Sequence, residues 1–150
     1  MIGETDPADW LDIVETVTAL FIATDEKDWA AVRACFADHV LFDMSSLTGS
    51  PAATLAADAI VEGWKLGLEP IQALHHQVGN FRVSVSGNEA DAFCYGIAYH
   101  YRPNVSGQNT RTFVGTYDAH LVRGADGGWL IDRFRFGVKF VEGNLQLEKF

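Results

Sequence analysis

Residues 89–102 read EADAFCYGIAYHYR, and the two alternating sets of side chains in this stretch are of different kinds. Ala90, Ala92, Cys94, Gly96, Ala98 and His100 form one parity; Asp91, Phe93, Tyr95, Ile97, Tyr99 and Tyr101 form the other. Alternation with period two marks a strand. A sheet face of small residues ending in a histidine leaves room for a ligand or for closely packed helices. The opposite face carries aromatic side chains that no predicted helix covers. An apolar patch of that size usually marks an interface, so a homodimer or homotrimer is expected through it. Burial under the C-terminal KFVEGNLQLEKF is the alternative.

Outward from this strand the pattern persists. LHHQVGNFRVSVS (74–86), NTRTFVGTYDAHLVR (109–123) and GWLIDRFRFGVKFV (128–141) read as further long strands. The connections SGNE, PNVSGQ and GADGG are Gly- and Asn-rich, as hairpins require. The N-terminal half reads differently. DPADWLDIVETVTALFIA offers Asp6 as N-cap, Pro7 at the first helical position, and Trp10, Ile13, Val14, Val17, Leu20 and Phe21 at helical spacing. A break at TDEKDW starts a second helix, with Trp29, Val32 and Phe36 on one face. HVLFDMSS is a short strand, and AADAIVEGWKLG a third helix with Gly67 as its stop. Helices followed by an antiparallel meander predict an α+β domain spanning 1–150, with three N-terminal helices packed on a curved, mainly antiparallel sheet.

The chain has 150 residues, 48% of them hydrophobic, enough for a substantial core. With 11 basic and 20 acidic residues its net charge is −9, which argues against nucleic acid or an anionic membrane surface as partner. Cys35 and Cys94 lie in apolar segments and read as buried thiols. The N-terminus has no basic n-region or apolar h-region, and no stretch approaches a membrane span. A cytoplasmic location is expected.

TDEKDWAAVRACF, VLFDM, LHHQVGN, YHYR, GTYDAHLVRGADGGW and the terminal EGN occur in an order and spacing that resemble the SnoaL-like branch of the NTF2-like superfamily. That branch includes scytalone dehydratase and hexachlorocyclohexane dehydrochlorinase, and the resemblance covers roughly residues 8–144. It implies a cone-shaped fold with a deep apolar pocket between helices and concave sheet, often in dimers or trimers. It implies a catalytic pair at Asp25 and His76, a second pocket histidine at His100, and small polar pocket residues at Thr116 and Asp118. Two tyrosines that polarise a substrate carbonyl in dehydratase-like members fall on Thr24 and Met44. Met44, Trp64 and Phe42 join Thr116 and Asp118 as expected substrate contacts. The parity of residues 90–100, taken without the family, also puts His100 on the small-residue face.

An imidazole beside a carboxylate suits proton abstraction at neutral pH, because the carboxylate holds the ring tautomer and stabilises the imidazolium. His76 is then the base, Asp25 its orienting partner, and His100 an acid or proton shuttle. Such a set performs elimination, isomerisation or aldol cyclisation with no cofactor. The expectation is a cofactor-independent lyase or isomerase acting on an apolar cyclic small molecule. The competing reading is a non-catalytic ligand-binding or assembly subunit, as in the small subunits of ring-hydroxylating oxygenases. Plain readings stand beside each residue: Asp25 as a helix N-cap, His76 and His100 as core histidines, Asp118 exposed or paired with an arginine such as Arg111. His75 and His120 read as structural, Tyr117 and Trp129 as packing residues, and Asp43 ranks below Asp25. No metal site is expected, since adjacent strand histidines cannot face one ion. Neither a Gly-x-Ser-x-Gly turn nor a phosphate-binding glycine loop occurs.

Overall fold

The structure, a computed structural model, describes residues 5–149. Its elements run α1 (Pro7–Asp25), α2 (Trp29–Ala34), β1 (Phe36–Asp43), α3 (Ser45–Thr48), β2 (Ala53–Ala56), α4 (Ala57–Leu68), β3 (Ala73–Ser86), β4 (Glu89–Tyr101), β5 (Thr110–Arg123) and β6 (Trp129–Gly143). Among the described residues the strands form one sheet in the order β2-β1-β6-β5-β4-β3, antiparallel except where β1 runs parallel to β6. This is the α+β arrangement that the sequence implies. Among the described residues no helix is long and apolar enough to cross a membrane.

Local signals set most element ends. Asp6 accepts from the Ala8 amide at 2.8 Å and Pro7 opens α1, as its missing N–H permits. Asp28 caps α2 by accepting from the Ala31 amide at 3.2 Å. Two elements were not anticipated, the single turn α3 and the strand β2. Their stretch, SSLTGSPAATLA, has neither helical nor strand periodicity, and tertiary contacts hold it instead. Ser46 Oγ donates to the Phe136 carbonyl at 2.7 Å and accepts from the Val138 amide at 2.9 Å, pinning α3 to an irregular point of β6. The third predicted helix runs through Gly67 to Leu68, and Trp10, expected inward, is 37% exposed.

Three register shifts curve the long strands: at Gly79/Arg82 in β3, where Asn80 adopts a φ of 56°, and at Val114/Gly115 and His120/Leu121 along β5–β6. Bulges of this kind bend a strand and raise its twist. The sheet wraps around α1, whose Ile13, Val17, Leu20 and Phe21 are buried in the main core with Ile60, Leu121, Ile131 and Phe134. Beyond β6 the chain folds over one end of the cone. There Leu147 is fully buried with Ile71 and Leu74, and Arg102 Nη1 donates to its carbonyl at 3.1 Å. The tail thus leaves the convex aromatic face uncovered, with Tyr95 at 46% exposure.

Candidate active site

The site begins at the end of α1. The chain turns through Lys27, in the left-handed region at φ 55°, and Asp28 takes the capping role for α2. That leaves Asp25 free to face β3. One carboxylate oxygen accepts from the His76 backbone amide at 2.9 Å and the other contacts His76 Nδ1 at 2.6 Å. A carboxylate only accepts, so Nδ1 carries a proton, and in the neutral ring the lone pair is then on Nε2. Phe21, one helical turn before Asp25, stacks on the ring with centroids 5.2 Å apart. Ring position, tilt and tautomer are therefore all set by α1. His75 points to the other face, beside Tyr99.

His100 lies across the β3–β4 ladder, its ring centroid 6.5 Å from that of His76. The register pairs His76 with Ala98, so residues of the Ala98 and His100 parity share its face. His100 is only 8% exposed. Its Nδ1 lies 3.0 Å from Nη2 of Arg111, the residue directly opposite it on β5, and Arg111 Nη1 is 2.6 Å from Glu148 of the tail. Burial above all, then the positive Arg111 and the neighbouring His76, lower the His100 pKa to about 3. This imidazole is neutral at any ordinary pH.

Both rings line a cavity of about 260 Å³ whose walls are mostly apolar, with Phe21, Trp64, Ala98, Phe113, Phe134 and Phe136 prominent. Met44 and Leu47 border it from the α3 segment, and Thr24 from α1. Thr24 Oγ1 donates to the Leu20 carbonyl at 2.7 Å, so its proton is committed.

The structure places three expected contacts elsewhere. Phe42 does not line the cavity; it stacks on Phe134 and packs near Trp64 from behind. Thr116 and Asp118 lie on the convex face, because the register sets Thr116 opposite Tyr95 and Asp118 opposite Phe93. Directly opposed strand residues share a face, and a displacement of one residue reverses it. Asp118 instead borders a convex groove with Arg133 and Arg135. Asp43 also stays out of the cavity, where its Oδ1 accepts from the Ser45 amide at 2.9 Å.

Tyr117 takes the place expected of its neighbours. It pairs with Cys94, lines the cavity, and lies over Gly96, where a Cβ would come within 2.1 Å of its ring. Burial raises its phenol pKa, so the hydroxyl stays protonated and can donate. Tyr117 and Arg111 are the site residues that sequence reasoning missed. A signal existed for both: extending the hairpin register outward from PNVSGQ sets Arg111 opposite His100 and Tyr117 opposite Cys94. His120 is on the convex side with Nδ1 2.6 Å from Asp132. Burial pushes the Cys35 and Cys94 thiols up to about 11 and about 12, leaving them unreactive. Among the described residues no cluster of His, Cys, Asp and Glu is arranged to hold a metal ion.

The profile of the SnoaL-like domain matches residues 7–135. No curated protein matches the sequence. Among solved structures, the Kfla4162 protein of Kribbella flavida superposes with a TM-score of 0.89 at 24% identity, covering 95% of this chain and 98% of that one. The hexachlorocyclohexane dehydrochlorinase LinA-type3 of Novosphingobium barchaimii gives 0.72 at 14% identity, covering 92% and 91%. A proposed scytalone dehydratase of Novosphingobium aromaticivorans gives 0.76 at 16%, covering 91% and 88%. At these identities the likeness is one of fold.

Proposed function

The chain belongs to the SnoaL-like domain family, and from that premise and the geometry of the cavity we propose a cofactor-independent lyase or isomerase acting on an apolar cyclic small molecule. The observation that carries this reading is the double grip of Asp25 on His76, at 2.6 Å on Nδ1 and 2.9 Å on the backbone amide. A core histidine needs only one satisfied partner. Here a carboxylate orients the ring so that its basic nitrogen is left unpaired at an apolar cavity, the arrangement a general base requires. Asp25 then stabilises the imidazolium formed when His76 Nε2 takes a proton from carbon. The volume of about 260 Å³ lies below that of typical drug-sized pockets, which favours a monocyclic substrate. With the hydroxyl of Thr24 committed, Tyr117 and His100 are donors at the cavity that can polarise a substrate.

The test is turnover of cyclic β-hydroxy ketones and halogenated rings, where a proton and a leaving group sit on adjacent carbons. His76→Ala should lower the rate by about 10²–10⁴-fold, the usual contribution of a positioned base. Activity within about tenfold of wild type would transfer the assignment to the binding or assembly reading.

We also propose self-association through the convex face of β4. Tyr95, Tyr99 and Tyr101 are all exposed there, and Lys139 lies 4.2 Å from the Tyr95 ring centroid. Light scattering should give a dimer or trimer at micromolar concentration that Tyr95→Asp dissociates; a monomer unaffected by that change sinks the idea. A cytoplasmic location belongs to the same reading, since Cys35 and Cys94 are free thiols.

A further inference from the structure

The two cavity histidines are wired oppositely. Asp25 can only accept, so it makes His76 Nδ1 a donor and leaves Nε2 with a lone pair. Arg111 can only donate, so it makes His100 Nδ1 an acceptor and leaves the proton on Nε2. Neither Nε2 has a protein partner among the described residues, and neither is sealed from solvent, unlike Arg111 Nε and Trp129 Nε1. Each is therefore open to the cavity that its ring lines.

We propose that Arg111, anchored by Glu148, fixes His100 as the neutral Nε2–H imidazole, so that His100 serves as a hydrogen-bond donor to substrate and not as a proton-transferring acid. The substrate class follows from the pair. The C–H bond that His76 breaks must stand next to a carbon bearing an oxygen or a halogen. The proton goes to His76 Nε2 and the C–H electron pair forms a C=C bond; the pair this displaces is either the carbonyl π pair, which makes an enolate oxygen, or the carbon–halogen pair, which departs with the halide. His100 Nε2–H donates to that atom as its charge develops, and keeps its own proton. The inference rests on the base-catalysed reading of the cavity.

The cost of the arrangement supports a positioning role. Arg111 is a largely buried cation whose Nε–H lacks a partner among the described residues, a net loss of stability. Among the described residues, Glu148, the Phe113 ring at 5.3 Å and His100 compensate it. The charged and titratable groups acting on His100 are Arg111 from β5, His76 from β3, Asp25 from α1 and Glu148 from the tail. Arg111 and His76 oppose its protonation, whereas the two carboxylates favour it. Burial and Arg111 prevail.

Long-range proton–nitrogen correlation spectra of the ¹⁵N-labelled full chain read the tautomer of each histidine directly and need no substrate. Wild-type His100 should be the Nε2–H form and stay neutral through the range near pH 6.5 where free histidine protonates. Arg111→Met should bring in the Nδ1–H form and raise the protonation midpoint. Arg111→Lys should keep the wild-type tautomer, since an ammonium can still donate to Nδ1. An Nδ1–H or charged His100 in the wild type overturns the proposal, as does an unchanged spectrum in Arg111→Met. If that variant does not fold, scalar coupling across the hydrogen bond between Arg111 Nη2 and His100 Nδ1 in the wild type decides, and its absence counts against the assignment. Loss of turnover in His76→Ala is a separate result, so the proposed activity and this wiring can fail independently.

Discussion

The two faces of β4 share a backbone and a register but are stabilised by different physics. On the concave face Cys94, Gly96, Ala98 and His100 are closed in by Tyr117, Phe113 and Arg111 of β5, and the His100 ring is held by Arg111 at the edge of the cavity. On the convex face Tyr95, Tyr99 and Tyr101 stand exposed beside loose ion pairs, Asp91 with Arg133 and Asp43 with Arg135, each at 3.7 Å. Exposed pairs of that length contribute about 0–1 kcal/mol. Alternation along one strand thus separates a site where small displacements matter from a surface where they do not.

The largest effect that could break this contrast is catalytic. Asp25→Asn should reduce turnover by about 10²–10⁴-fold, because an amide can still contact the ring but cannot stabilise imidazolium. Thermal stability should fall modestly, because an amide has one acceptor for the two N–H groups of His76 that Asp25 holds, while α2 keeps its Asp28 cap. A rate within about tenfold of wild type, below the usual contribution of such a group, would remove the carboxylate from the mechanism.

Acid titration sharpens the concave side next. The pKa of His100 is about 3 in the fold against about 6.5 in the unfolded chain, so the unfolded state binds the proton first. The stability it contributes is complete above pH 6.5 and is lost as pH falls from there toward about 3, a few kcal/mol in all. Denaturant midpoints for wild type and His100→Asn should therefore converge as pH falls through that window. Parallel curves would mean that the ring is not held neutral by burial.

Packing comes third. Gly96→Ala would put a methyl 2.1 Å from Tyr117 Cε2, on a ring held by Phe21 and Phe136 with centroids 4.6 and 5.0 Å away. Overpacking of this kind costs about 1–3 kcal/mol, and urea unfolding reads it. The smallest effect belongs to the other face. Asp118→Ala should alter stability by no more than about 0.5 kcal/mol and leave turnover unchanged, whereas Tyr117→Phe should slow it. If Asp118→Ala were the more damaging of the two, the assignment of faces along β5 would be wrong.

By itself the sequence determined what depends on local periodicity and local chemistry. Asp6 and Pro7 start α1, and the four long alternating segments from about residue 74 onward are strands with Gly- and Asn-rich turns between them, whereas the cap of α2 falls on Asp28 and not on the Asp25 that the sequence offered. The small-residue parity of β4 likewise marks the concave face and puts His100 on it, because side-chain alternation is a property of any strand. The tertiary structure alone decided what depends on register and on distant contacts. The β4–β5 pairing turns Tyr117 inward and Asp118 outward, and although the PNVSGQ hairpin hints at that register, the paired strands fix it, since a shift of one residue reverses every side chain. Only packing against β6 creates α3, through Ser46, in a stretch with no periodicity of its own. The partners of the two histidines lie far along the chain: Asp25 is 51 residues from His76, and Glu148 is 37 residues from the Arg111 that it anchors to His100. Hydrogen bonds across such separations are products of folding, and they set which nitrogen of each ring carries the proton.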